Sequence, residues 1–326
     1  MDEAGLVLQA RRVPGSHRTG IRVSVQRYAA RIDCQVASLP AVTAMVMLVF
    51  TVLMMTVSSP AADRACADEP PPETAGAPVY PIAVVADGPL LYVVDLDLPG
   101  IWQVDASGSR LFARGSRRFG SPLNRPRSVA LHPRGGILVG DSATREVYRI
   151  ASPEATPEPL SGGNIGIAVA MAVCPGGDAV YVGDAETRSV LRLPIDGGTP
   201  HPVVAVDARG LAFDNEGALW AVTLEDATVQ RIDVETQTST VVIAGRPYRY
   251  PNGLTWAGDH GLISDSYGRR IWRFDAAGDT APWLEGAPLR SPAGLHADEA
   301  SVWVAEPGQR QVYRIDRASR SPQPLF

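Results

Sequence analysis

Ile263-Ser264-Asp265, followed five residues later by Ile271-Trp272-Arg273, is the stretch on which the reading of this chain turns, because it recurs. Val93-Val94-Asp95 is followed in the same way by Ile101-Trp102-Gln103, Val139-Gly140-Asp141 by Val147-Tyr148-Arg149, and Val182-Gly183-Asp184 by Val190-Leu191-Arg192. Ala221-Val222-Thr223 leads to Val229-Gln230-Arg231, and Val304-Ala305-Glu306 to Val312-Tyr313-Arg314. In every copy the third residue lies seven before an aromatic, Leu or Gln, and eight before an Arg (Gln103 in the first). The anchors at 95, 141, 184, 223, 265 and 306 are 46, 43, 39, 42 and 41 residues apart. A sixfold repeat of this length is architecture before it is chemistry.

Working outward from the anchor, each copy has the same grammar. An apolar segment such as Gly253-Leu254-Thr255-Trp256 comes first, then a Gly/Asp turn, then the run that ends on the anchor. A polar turn, a second run such as Val147-Tyr148-Arg149-Ile150 and a short closing segment such as Pro282-Trp283-Leu284 complete the unit. Four strands in roughly 40 residues make the blade of a propeller. A small sheet cannot bury both faces alone, so blades must pack around an axis. The expectation is an all-β, six-bladed β-propeller with four antiparallel strands per blade over residues 78–326, preceded by an N-terminal hydrophobic helix. The last outer strand would be Gln323-Pro324-Leu325-Phe326, and Ala77-Pro78-Val79-Tyr80 is the one spare strand available for closing the ring by exchange.

The residues before the repeat read differently. No charge occurs from Cys34 to Ala62; six Arg residues from Arg11 to Arg31 precede this stretch, and Ala65-Cys66-Ala67 follows it. Positive flank, apolar run and A-x-A site describe a secretory signal, while the uncharged length also suits an uncleaved anchor across 39–58. Residues 1–67 are therefore expected to be an arm plus signal peptide or signal anchor. Residues 68–77, rich in Pro and Glu, are expected to be a tether. Both readings place the propeller outside the cytoplasm, periplasmic or extracellular, with membrane contact only through the N-terminal segment if it is retained.

Beyond Ala67 stand 23 Arg and 31 acids, a net charge near −8, with no Lys anywhere. That balance argues against nucleic-acid binding held by counterion release. No CxxC or HExxH occurs, no two His residues share a metal-ligand spacing, and Cys174 has no partner in the domain for a disulfide.

The pairs Asp141/Arg145, Asp184/Arg188, Asp265/Arg269 and Glu306/Arg310 recur at equivalent turns. Catalysis needs one asymmetric constellation, so these read as turn structure: the acid accepts backbone N–H bonds and the Arg partners it at the rim. The connections leading into each first strand vary from copy to copy and are the better place for function. They carry Arg125, Arg127, Arg209, Tyr248, Arg249, Tyr250 and Asn252. On a propeller they surround one channel mouth, which suits a small anionic ligand or a protein partner. The alternative for the same Arg residues is simple neutralisation of nearby turn acids.

Tyr250-Pro251-Asn252-Gly253-Leu254-Thr255-Trp256, running on to Ser264-Asp265-Ser266 and Ile271-Trp272-Arg273, resembles the senescence-marker-protein/gluconolactonase family. The remaining blades resemble NHL repeats. The resemblance implies a sugar-lactone or ester hydrolase holding calcium or another divalent cation with one Glu, two Asn and an Asp. The Asn of the P-N-G motif corresponds to Asn252. At the Asp position stands Ala293, Asp207-Ala208-Arg209-Gly210 offers no Asn, and 74–86 contains no carboxylate. The expectation is therefore a binding module without cofactor, with the metal-dependent hydrolase as the alternative.

Overall fold

The computed structural model describes residues 76–97 and 99–326. The expected N-terminal arm, hydrophobic helix and nearly all of the tether lie outside them. No helix among the described residues is long and apolar enough to cross a membrane.

Twenty-four strands form six four-stranded antiparallel sheets, each built from consecutive strands. The inner strands are Pro81–Asp87, Pro126–Leu131, Ala168–Val173, Ala208–Phe213, Pro251–Ala257 and Leu295–Ala297. The second strands, Leu90–Asp95, Ile137–Asp141, Ala179–Asp184, Leu219–Thr223, His260–Asp265 and Ser301–Glu306, all end on the anchor residue. They are almost entirely buried, since blades cover both of their faces, which is why they read as apolar runs without alternation.

The core is divided among the blade interfaces. Leu138 and Val147 of blade 2 pack with Val180 and Leu191 of blade 3. Trp220 and Val222 of blade 4 pack with Leu254 and Ile263 of blade 5. Val93 and Trp102 of blade 1 meet Trp303 and Val312 of blade 6. The last pairing closes the ring.

Among the described residues, no strand is exchanged to close the ring. Ala77–Tyr80 joins no sheet; the N–H groups of Val79 and Tyr80 donate instead to the Asp95 carboxylate at 2.6 and 3.0 Å. The ring is joined by packing, by the C-terminal Leu325 and Phe326 beside Trp102, and by the Gly294 N–H donating to the Ile82 carbonyl at 2.9 Å. The last outer strand is Pro322–Pro324, one residue earlier than expected at its start and two shorter at its end.

The anchor acids behave as turn structure. Asp141 accepts from Asn124 and Arg125 N–H, Asp184 from Gly166 and Ile167, Asp265 from Arg249 and Tyr250, and Glu306 from Arg290 and Ser291. Each carboxylate thus ties down the connection that leads into its own blade. The paired Arg does something other than expected. Arg145, Arg188, Arg269 and Arg310 all occupy the left-handed region, with φ from 54° to 60°. The reversal turns the side chain away from its own acid: Arg145 pairs with Glu186 at 2.6 Å and Arg188 with Glu225, each in the following blade.

Candidate functional site at the channel mouth

Inner strands begin, and second strands end, on one face of the ring, so the connections and anchor turns share that face. There the register slips in each of the first five blades: between Pro81 and Ala83, Pro126 and Ser128, around Val169, between Ala208 and Gly210, and between Pro251 and Leu254. Such bulges re-aim the residue left unpaired. The residues at the slip are Ile82, Arg127, Val169, Arg209 and Asn252, and all five line the central channel. Ala293, buried, is the sequence counterpart in blade 6. Repeated through the first five blades, this backbone device presents two guanidiniums, one amide and two aliphatic side chains to the channel.

The channel cavity measures about 320 Å³. Tyr80 and Tyr250 also line it, and Tyr250 packs against the exposed Tyr267 with ring centroids 4.7 Å apart. Among the described residues no Asp, Glu or His lines the cavity. A second cavity of about 420 Å³ adjoins it over blades 1 and 2, lined by Leu96, Asp97, Arg117, Asn124, Arg125 and Arg127; Leu96 and Arg127 belong to both.

Arg127 is half-buried and its Nε donates to the neutral Ser142 Oγ at 2.9 Å. Burial first, and then the positive charges of Arg125 and Arg209, lower its pKa from the ordinary guanidinium value, with Asp141 acting in the opposite sense. Arg209 has a partial partner: its Nη2 lies 3.4 Å from Asp207 Oδ2, while its Nε and Asp207 Oδ1 are buried without hydrogen bonds. Arg188 also reaches Asp207, at 3.7 Å. Arg117 pairs with Asp97 at 3.6 Å, and Arg246 with Asp226 at 2.9 Å. Neutralisation thus accounts for Arg246, in part for Arg117 and Arg209, and not for Arg125 or Arg127, which have no acidic partner within ion-pair distance among the described residues.

Of the seven residues expected at the mouth, Arg127, Arg209, Tyr250 and Asn252 line the channel and Arg125 the adjoining cavity. Two are placed elsewhere. Tyr248 is buried within blade 5, 5.4 Å from the Trp272 ring, with its hydroxyl 3.1 Å from Thr280 Oγ1. Burial pushes its phenol up to about 12. An apolar ring two residues before Tyr250 has only the blade interior to pack against. Arg249 is exposed on the rim and lines neither cavity, its main-chain N–H being held by Asp265. Tyr80, Tyr267 and the supporting Ser142 were not anticipated.

Other polar residues outside the channel have local partners. His132 Nδ1 accepts from Arg134 N–H, as Asp214 does from Glu216 and Asp298 from Ala300, so these three turn residues share one role. The Cys174 thiol donates to Asp178 at 2.9 Å. Among the described residues no three His, Cys, Asp or Glu side chains gather as metal ligands.

No protein-family model matches the chain, and no curated protein matches it. Solved structures do. The virginiamycin B lyase of Staphylococcus aureus superposes with a TM-score of 0.58 at 14% identity, covering 76% of this chain and 84% of that one. A protein assigned as a gluconolactonase gives 0.61 at 15% identity, covering 76% and 91%. A chain of a nidogen–laminin complex gives 0.60 at 13%, covering 76% and 93%. These are six-bladed β-propellers, and so is this chain. At such identities the likeness reaches the fold and stops there, because a lyase, an assigned gluconolactonase and a chain of a nidogen–laminin complex share it.

Proposed function

We propose that the protein is an exported, non-catalytic binding module that holds a small anionic ligand at its channel mouth. The observation that carries this is Arg127: a half-buried guanidinium bonded to a neutral hydroxyl and crowded by Arg125 and Arg209, in a channel lined by no carboxylate among the described residues. Like charges brought together out of bulk water raise the energy of the empty site, and an anion relieves it. Guanidinium forks bind carboxylate or phosphate through paired hydrogen bonds. Asn252 adds an amide, and the Tyr250–Tyr267 pair offers an aromatic ledge beside it. Export is supported by the uncharged stretch from Cys34 to Ala62 and the Ala65-Cys66-Ala67 site after it.

The lactone-hydrolase alternative would place a divalent cation at Asn252. The side chains around that amide do not fit one: hard cations take several oxygen ligands, mostly carboxylates, whereas Arg127, Arg209 and Tyr250 share the cavity with Asn252.

The test is a thermal-unfolding series on the full-length chain in non-ionic detergent, with orthophosphate, sulfate, acetate and calcium chloride at matched ionic strength. An anion at one hundred times its Kd should stabilise the fold by about 2.7 kcal/mol, and calcium should not act. Stabilisation by calcium with none by any anion would reverse the assignment.

A further inference from the structure

The channel cavity and the cavity over blades 1 and 2 meet at Arg127, which lines both. On the channel side Arg127 has Arg209 for company; on the other it has Arg125 and, beyond, Arg117. The acids nearby are unevenly placed. Asp207 and Asp97 already engage Arg209 and Arg117, while among the described residues Arg125 has no acidic partner within ion-pair distance. Two pockets of positive charge, each with a guanidinium lacking a carboxylate, therefore lie side by side with one shared donor between them.

We infer that the ligand carries two anionic groups, one held over the channel by Arg127 and Arg209 and the other in the adjoining cavity by Arg125 and Arg127, as in a diphosphate or a short dicarboxylate. This rests on the anion-binding reading above. A single anion would neutralise one pocket and leave the other empty. Two linked anions engage both, and the second contact becomes intramolecular once the first is made, so affinity rises without a new kind of contact. The shared Arg127 sets the spacing, since both groups must reach one planar fork.

The experiment is isothermal titration of the full-length chain with two pairs of probes, orthophosphate against pyrophosphate and acetate against succinate. The two-anion member of at least one pair should bind tenfold or more tightly than its partner, and the pair that responds identifies phosphate or carboxylate chemistry. Arg125→Ala should weaken the two-anion probe about tenfold more than the one-anion probe. Arg249→Gln, which removes a charge from the same face outside both cavities, should leave the ratio as in the parent chain. A ratio near one in both pairs overturns the inference, as does a preference that survives Arg125→Ala or falls equally with Arg249→Gln. Those outcomes leave the simpler anion site standing. Absence of binding by all four probes overturns both.

Discussion

Arg127 on the inner strand of blade 2 and Arg209 on that of blade 4 occupy the same register slip and face one channel, with Val169 of blade 3 between them. Along with burial and Arg125, Arg209 makes Arg127 harder to keep charged than an isolated guanidinium. The two should therefore act as a pair on any bound anion. Arg209→Gln is expected to weaken orthophosphate binding about tenfold, or roughly 1.4 kcal/mol. Arg127→Gln should do at least as much, and the double variant less than the sum, because the partners couple. Titration calorimetry on the four proteins checks this, and full additivity would contradict it.

Asp265 accepts the N–H groups of Arg249, Tyr250 and Gly268 at 2.8 to 2.9 Å and the Trp272 indole N–H at 3.2 Å. Asp265→Ala strands several donors in a buried turn and should cost about 3 kcal/mol or more in urea denaturation. Because the same bonds position Tyr250, anion affinity should fall with stability. Asp265→Asn, which keeps one acceptor oxygen, should recover part of both.

Gly253 follows Asn252 at a close approach of blades 5 and 6. A Cβ there would lie 2.5 Å from the Ala293 carbonyl oxygen and 3.0 Å from Ser264 Oγ. Ser264 bridges the two blades, accepting from Gly253 N–H at 2.8 Å and donating to the Ala293 carbonyl. Gly253→Ala is expected to cost about 1–3 kcal/mol through forced separation of the blades. An unchanged denaturation midpoint would show that the hub is looser than this packing implies.

His296, on the inner strand of blade 6 against the Trp303 ring, has its pKa lowered to about 4 by burial, with Asp298 acting weakly the other way. The folded chain therefore holds it neutral while the unfolded chain protonates it near its ordinary value of 6.5. Between those two values the unfolded state binds more protons, so this contribution is present above pH 6.5 and lost as pH falls toward 4. The loss is on the order of 3 kcal/mol. His296→Phe should flatten the stability profile in that window relative to the parent, and parallel profiles would contradict the assignment.

What the sequence made readable was whatever repeats. The anchor acids, the apolar second strands and the six-part division follow from a period that chance cannot produce, and each anchor does end its strand. The left-handed turn at Arg145 and Arg188 was hidden, because an acid–Arg spacing of four says nothing about the sign of φ between them. The mouth was partly readable. Asn252 and Arg209 stood out as departures from a repeated pattern, whereas Tyr248 was misplaced because a connection's composition does not tell which rings turn inward. A further signal lies in the spacing: in blades 1 to 5 the residues thirteen to fifteen before the anchor, Ile82, Arg127, Val169, Arg209 and Asn252, are the ones the bulges send toward the axis.

An anion held between Arg127 and Arg209 would be seen in crystals of the protein soaked in selenate and measured at the selenium edge. An anomalous peak is expected within hydrogen-bonding distance of both guanidiniums, and its loss in Arg127→Gln. Peaks confined to other surfaces of the propeller, with the channel mouth empty at saturating selenate, would contradict it.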